Sequence, residues 1–161
     1  MIPIAVSGAM RSLILFIILV AAAAFIGAQF GPGPWYMELE KPPWTPPDWL
    51  FAPVWTLLYI GIALAGWLVW RARNSANSAL TLWAIQLVLN GLWSWLFFGL
   101  RRPDLAFADI VALLIVICCF IATAGKISRH AAWLFVPYAV WVGFASALNF
   151  AIWRLNPIIS N

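Results

Sequence analysis

The sequence predicts an all-α integral membrane protein. Its expected architecture is a five-transmembrane-helix bundle in a single domain, with a Trp/Pro-rich loop between helices 1 and 2 lidding a ligand cavity. Three observations predict it. Of the 161 residues, 65% are hydrophobic and only 9% charged, where a soluble domain carries about 25% charged residues. The apolar residues fall into five runs, each near the roughly 20 residues that a bilayer requires. Between the first two runs lies WYMELEKPPWTPPDWLFAPVW, Trp35 to Trp55, with four tryptophans and five prolines. Proline lacks a backbone N–H and fixes φ, so Lys41–Pro47 is not helix interior. It is expected to be a stiff, extended loop. Indoles at this density need an apolar surface to cover, either a membrane interface or the mouth of a cavity.

The first helix is expected over about residues 11–30. Its Arg11 and apolar run also fit a signal peptide with a small-residue cleavage site, but the length suits a retained span. Gly27 and Gly31 lie four apart, where a neighbouring helix can approach closely. The second helix is expected over 53–70, with Pro53 in its first turn and Gly61 and Ala65 forming a small face. Trp67 and Trp70, followed by Arg71 and Arg73, read as an interface anchor, and Asn74–Ser78 as a polar turn. The third helix (78–99) carries Gln86 and Asn90 on one face, with Trp83 and Trp93 close to that face. The fourth (104–125) is given Asp104 as its N-cap and Asp109 near its start, where a carboxylate favours the helix dipole. Lys126, Arg129 and His130 are assigned to the next loop.

The fifth helix (131–155) contains Pro137, which predicts a kink or a local break. Tyr138, Trp141, Ala145, Leu148 and Asn149 share one side of it. Ala139, Gly143, Ala147 and Ala151 form a small-residue stripe suited to helix packing. Trp153 and Arg154 close it at an interface. Five spans put the termini on opposite sides. The amino-terminal side then holds five cations and the other side four, a weak bias toward a cytoplasmic amino terminus.

The chemistry available is narrow. Adjacent Cys118 and Cys119 sit in an apolar run, are badly placed to form a disulfide with each other and read as small buried hydrophobes. There is no metal-ligand spacing, no Gly-rich phosphate loop and no nucleophile elbow. The net charge is +4, but basic residues without a patch of interleaved aromatics do not predict nucleic-acid binding. No Lys or Arg and no chain of carboxylates occupies the spans, which disfavours an ion-coupled pump. The sole histidine, His130, reads as solvated, so haem iron has no obvious axial ligand, and Tyr59 and Tyr138 are poor substitutes. The polar residues within the spans are Gln86, Asn90, Asp109 and Asn149, with Tyr138. Polar groups in hydrocarbon usually face the bundle interior. Amide-to-amide bonding between helices accounts for them as readily as a ligand does. With the loop tryptophans, Trp93, Tyr138 and Trp141 can line a pocket for a large, flat, apolar molecule, stacking on its face while a few amides orient it.

Trp35–Tyr36 with Lys41–Pro42, Trp44–Thr45–Pro46–Pro47, and Pro53–Val54–Trp55 with Leu58–Tyr59 stand in this order. Gln86–Leu87 with Leu89–Asn90 and Trp93 come next. Pro137–Tyr138 with Trp141, and Leu148–Asn149 before Trp153, complete the series. In these fragments, over about Gly27 to Asn156, the chain resembles the TspO/MBR family, which includes bacterial tryptophan-rich sensory proteins and the mitochondrial translocator protein, or peripheral benzodiazepine receptor. The resemblance implies a five-helix bundle with its first span retained, commonly a homodimer, whose first loop covers a ligand cavity. It implies a receptor, sensor or translocator for porphyrins (tetrapyrroles such as protoporphyrin IX) and for isoquinoline carboxamide or benzodiazepine-type drugs. Family pocket positions carry over to Tyr36, Trp44, Trp55, Asn90, Tyr138, Trp141, Ala145 and Leu148. Gln86, Trp93 and Asn149 join them from the residue reading. Some members bind cholesterol, but Phe150 stands where that recognition pattern has a tyrosine, so weak cholesterol binding is expected.

Three functions follow as expectations. The first is porphyrin binding by stacking, with Asn90, helped by Gln86 or Asn149, orienting the macrocycle and the propionates reaching Lys41 or Arg154. The second is light- and oxygen-dependent porphyrin degradation with Trp55 and Trp141 as catalytic residues; the porphyrin would be the substrate, and neither a cofactor nor a metal is required. The third is a structural or regulatory membrane partner without a small-molecule ligand. The bilayer is the expected surrounding in every case and the source is expected to be bacterial. Helical spans suit an inner membrane, although some bacterial family members are placed in the outer one.

Overall fold

The structure, a computed structural model, describes residues 8–72 and 77–157. Arg73 and the Asn74–Ala76 part of the expected turn lie outside the described residues. Six α-helices follow one another: α1 Gly8–Ala28, α2 Pro34–Glu38, α3 Phe51–Arg71, α4 Asn77–Ser94, α5 Pro103–Gly125 and α6 Arg129–Leu155. All except the short α2 belong to segments long and apolar enough to cross a membrane, five in number. No strand occurs among the described residues. The protein is an all-α integral membrane protein.

Apolarity on every side is what a membrane helix shows, and the buried stripe of each helix is correspondingly narrow. In α1 only Ser12, Phe16 and Val20 are buried, at successive four-residue steps. Phe16 sets its ring edge-on to Trp83, with centroids 4.9 Å apart. The indole N–H of Trp67 donates to Ala9 O and Ser12 Oγ, both at 3.2 Å. The spanning helices form a closed ring in the order α1, α4, α5, α6, α3, and α3 also touches α4 across it. Chain direction alternates, so the α1–α3 loop, the α4–α5 turn and the end of α6 share one side.

Small residues set the closest approaches. At Gly66 an added Cβ would stand 2.5 Å from the Trp83 indole, whose N–H donates to Ile62 O at 2.8 Å. Gly61 faces the Leu134 carbonyl, and Gly27 faces Ser94. Gly31 lies beyond α1 and packs against no other helix. The α6 stripe also differs from expectation: Ala147 is exposed, and a Cβ at Gly143 would meet nothing within 4 Å. Ala139 packs against the core, so the open part of the stripe begins at Gly143.

Several local expectations are corrected. Asp104 is not an N-cap. Arg102 holds that position with Pro103 at N1, and Arg102 Nε donates to Asp104 Oδ1 at 2.8 Å. That bond raises the Arg102 guanidinium above its ordinary range. With the helix starting at Pro103, Asp109 falls in its second turn and is buried. Arg129 and His130 belong to the first turn of α6, because Ser128 caps it by accepting from Ala131 N–H. Pro137 does not interrupt α6, which runs unbroken. The bond it cannot form would go to the carbonyl of Trp133, an exposed residue. Cys118 and Cys119 are free and exposed rather than buried, since that side of α5 faces outward. The third span is α-helical only to Ser94 and finishes in a π turn, Trp95–Gly99.

Candidate ligand site

The candidate site begins with two amides one turn apart on α4, where side chains at i and i+4 share a face. Gln86 is fully buried and Asn90 nearly so. From α3, Tyr59 OH donates to Asn90 Oδ1 at 2.9 Å. Asn90 Nδ2 donates to Tyr138 OH on α6 at 3.1 Å. Tyr138 OH in turn donates to Gln86 Oε1 at 3.0 Å. These neutral groups link three helices in one directional chain. It ends on Gln86 Nε2, a buried donor with no partner. A buried polar atom left unpaired costs about 1–3 kcal/mol, so such an atom calls for a reason.

Aromatic rings surround the chain on the loop side. Trp55, one turn before Tyr59 on α3, lies 5.3 Å from the Tyr59 ring and 6.1 Å from Tyr138. Trp141, almost one turn beyond Tyr138, meets Phe51 and Phe144, each at 5.7 Å. Phe144 also meets Trp44 of the loop at 5.7 Å. A run of rings therefore leads from Trp44 through Phe144 and Trp141 to Phe51. The Trp141 indole N–H, inside this run, is buried and unpartnered. Ala145 packs partly buried against the same cluster. Trp44 is 47% exposed and Trp49 is 71% exposed, so Trp49 is the less covered of the two.

A second group sits beneath the loop. Trp93 Nε1 donates to Asn149 Oδ1 at 2.9 Å, and Asn149 Nδ2 to Pro103 O at 2.7 Å. Trp93 stacks on Phe97 at 5.1 Å. The π turn buries Phe97, whose ring also meets Trp35 and Tyr36. Tyr36 and Leu148 belong to this cluster. Burial first, and the Asp48 carboxylate second, push the Tyr36 phenol above its ordinary value. Lys41 Nζ lies 4.4 Å from the Tyr36 ring centroid.

The eleven expected site residues thus divide in two. Trp55, Gln86, Asn90, Tyr138, Trp141 and Ala145 form the inner group, with Trp44 at its rim. Tyr36, Trp93, Leu148 and Asn149 form the group under the loop, and Trp93 packs against both clusters. Lys41 and Arg154 come together in a groove whose lining shares no residue with either amide chain. Sequence reasoning missed Tyr59, Phe51 and Phe144 as site residues. Their four- and three-residue spacings from Trp55 and Trp141 were the available signal. It also missed Asp109 as a buried group, whose Oδ2 is without a partner.

On the amino-terminal side the interior is filled. Trp83 crosses Gly66, and Phe120 meets Phe135 at 4.0 Å with both fully buried. No group of three His, Cys, Asp or Glu side chains converges among the described residues. Two buried donors without partners, Gln86 Nε2 and Trp141 Nε1, therefore stand among aromatic rings.

Residues 15–154 match the sequence profile of the TspO/MBR family. The chain is 46% identical over 156 residues to the tryptophan-rich protein TspO of Chlorobaculum tepidum, covering 91% of this chain and 96% of that one. It is 37% identical over 141 residues to the tryptophan-rich sensory protein of Cereibacter sphaeroides, covering 88% and 89%. It is 35% identical over 150 residues to the translocator protein of Bos taurus, covering 89% of each.

Proposed function

This chain belongs to the TspO/MBR family, and we propose that it is a membrane receptor that binds porphyrins in the interior between α3, α4 and α6. The observation that carries this reading is that two buried donors, Gln86 Nε2 and Trp141 Nε1, lack partners within aromatic surroundings: Tyr138, bonded to Gln86, with Trp55 beside it, and Phe51 and Phe144 beside Trp141. A macrocycle offers these groups what they lack: a broad π face for the rings, and acceptors at its edge for the donors. Asn90 holds both tyrosine hydroxyls in register, so it orients the wall as well as any ligand edge. The loop closes over one side through Trp44 on Phe144. The packed amino-terminal half leaves the loop side as the route in and out, which favours sensing or sequestration over passage straight through the bundle.

The test is a dark titration of the detergent-solubilised protein with protoporphyrin IX, followed by the Soret band and tryptophan quenching. Saturable binding is expected. Asn90→Ala should weaken it about threefold to tenfold, the worth of one hydrogen bond, and Trp141→Phe should weaken it as well. Non-saturable partitioning, indifferent to both substitutions, would overturn the reading.

A further inference from the structure

A groove of about 530 Å³ opens on the outside of the bundle, between the loop and the last turns of α6. Lys41, Pro42 and Pro43 form one wall, and Ala151, Arg154 and Leu155 the other. The lining is mainly apolar, yet it brings together a cation from each wall. Both walls are held in place. Two successive prolines stiffen the loop. Asn156 clasps Glu40 from both sides: its Oδ1 accepts from Glu40 N–H at 3.1 Å and its Nδ2 donates to Glu40 O at 3.0 Å. Lys41 Nζ lies 3.5 Å from Leu39 O and 4.4 Å from the Tyr36 ring centroid, and forms no ion pair among the described residues. Arg154 forms no ion pair among the described residues.

The position of the groove decides what it fits. Arg154 occupies the last turn of a membrane-spanning helix, the depth at which headgroups lie. From it, Ala151, Ala147 and Gly143 descend α6 at three- and four-residue steps. Ala147 is exposed, and beside Gly143 there is open space. The result is a shallow track of small side chains leading from paired cations toward the middle of the bilayer.

We propose that this groove binds an anionic phospholipid. Its phosphate lies between Lys41 and Arg154, and one acyl chain follows the Ala151–Ala147–Gly143 track. Charge complementarity selects an anionic lipid over a zwitterionic one. The apolar track selects a lipid over a free anion. Glu40 also lines the groove and opposes a phosphate, so removing its charge should strengthen binding.

Native mass spectrometry of the full chain, released from detergent with equal amounts of phosphatidylglycerol and phosphatidylcholine, tests this without any porphyrin present. It therefore stands or falls separately from the porphyrin reading. Phosphatidylglycerol should be retained preferentially. Lys41→Gln and Arg154→Gln should each weaken retention roughly fivefold, as expected for one cation near a membrane surface. Arg154→Lys should keep it, and Glu40→Gln should increase it. Arg101→Gln, a cation on the same side outside the groove, should leave it unchanged. Equal retention of the two lipids, equal loss in Arg101→Gln, or displacement by inorganic phosphate would each overturn the proposal.

Discussion

Tyr138 carries two hydrogen bonds on one hydroxyl, accepting from Asn90 and donating to Gln86, while Tyr59 carries one. Hydrogen bonds between membrane helices are worth about 0.6 kcal/mol each. Tyr138→Phe should therefore cost about 1 kcal/mol, roughly twice the cost of Tyr59→Phe. Both act through Asn90, so the double variant should depart from additivity. Unfolding in mixed detergent measures all three. A Tyr138→Phe cost no greater than that of Tyr59→Phe would break the proposed directional chain. Tyr36 makes a different prediction, because its phenol is raised by burial. A group whose folded pKa is raised holds its proton more tightly when folded. Its contribution is complete below the unfolded value and is lost as pH rises through the folded one. As pH rises above about 10, the unfolding temperature should fall more in the parent protein than in Tyr36→Phe. Equal slopes would mean that Tyr36 ionises alike in both states.

The helices themselves were legible, because hydropathy over some twenty residues outweighs any local irregularity. Their ends were less so. Asp104 looked like an N-cap because the pattern Arg–Arg–Pro–Asp leaves the first residue of the helix open. Pro103 at N1 moves the cap back by two residues, to Arg102, and carries Asp109 farther into the helix. The π turn at Trp95–Gly99 had no signature, since five apolar residues in a row read alike in α and π geometry, yet it is this turn that buries Phe97 beneath the loop. The amide pair Gln86 and Asn90 was legible by its spacing. Tyr59 was weighed only as a poor ligand for haem iron, because its bond to Asn90 joins two helices whose relative rotation the sequence does not display. Two predictions belong to these elements. Gly66→Ala would drive a methyl into the Trp83 indole and should destabilise the α3–α4 crossing by about 1–3 kcal/mol, the usual cost of overpacking. Arg101, just past the π turn, has φ of 56°, a conformation that glycine adopts without strain. Arg101→Gly should raise the unfolding temperature, and a lowered one would show that the Arg101 side chain contributes more than its backbone costs.

At the scale of the whole molecule, the loop and the end of α6 behave as one body. Their polar connection spans 116 residues of sequence and is made by one side chain, Asn156, which also donates back to Ile152 O at 2.8 Å. Beneath that clasp lie Tyr36 and Leu39, packed with Leu148 and Ile152. Farther along the loop, Trp44 rests on Phe144 of the same helix. Any movement that uncovers the inner rings must then separate the loop from α6 at both places. The polar clasp is the weaker, because it is exposed and water can replace it. Asn156→Ala should therefore leave the stability of the bundle nearly unchanged while loosening the loop. Hydrogen exchange at the Glu40 amide, which donates to Asn156, should accelerate, whereas amides within α4 and α5 should not. If the loop governs access to the interior, porphyrin dissociation should quicken in the same variant with little change in the association rate. Faster exchange at Glu40 without faster dissociation would leave the clasp intact as a structural tie but would remove the loop from the path of the ligand.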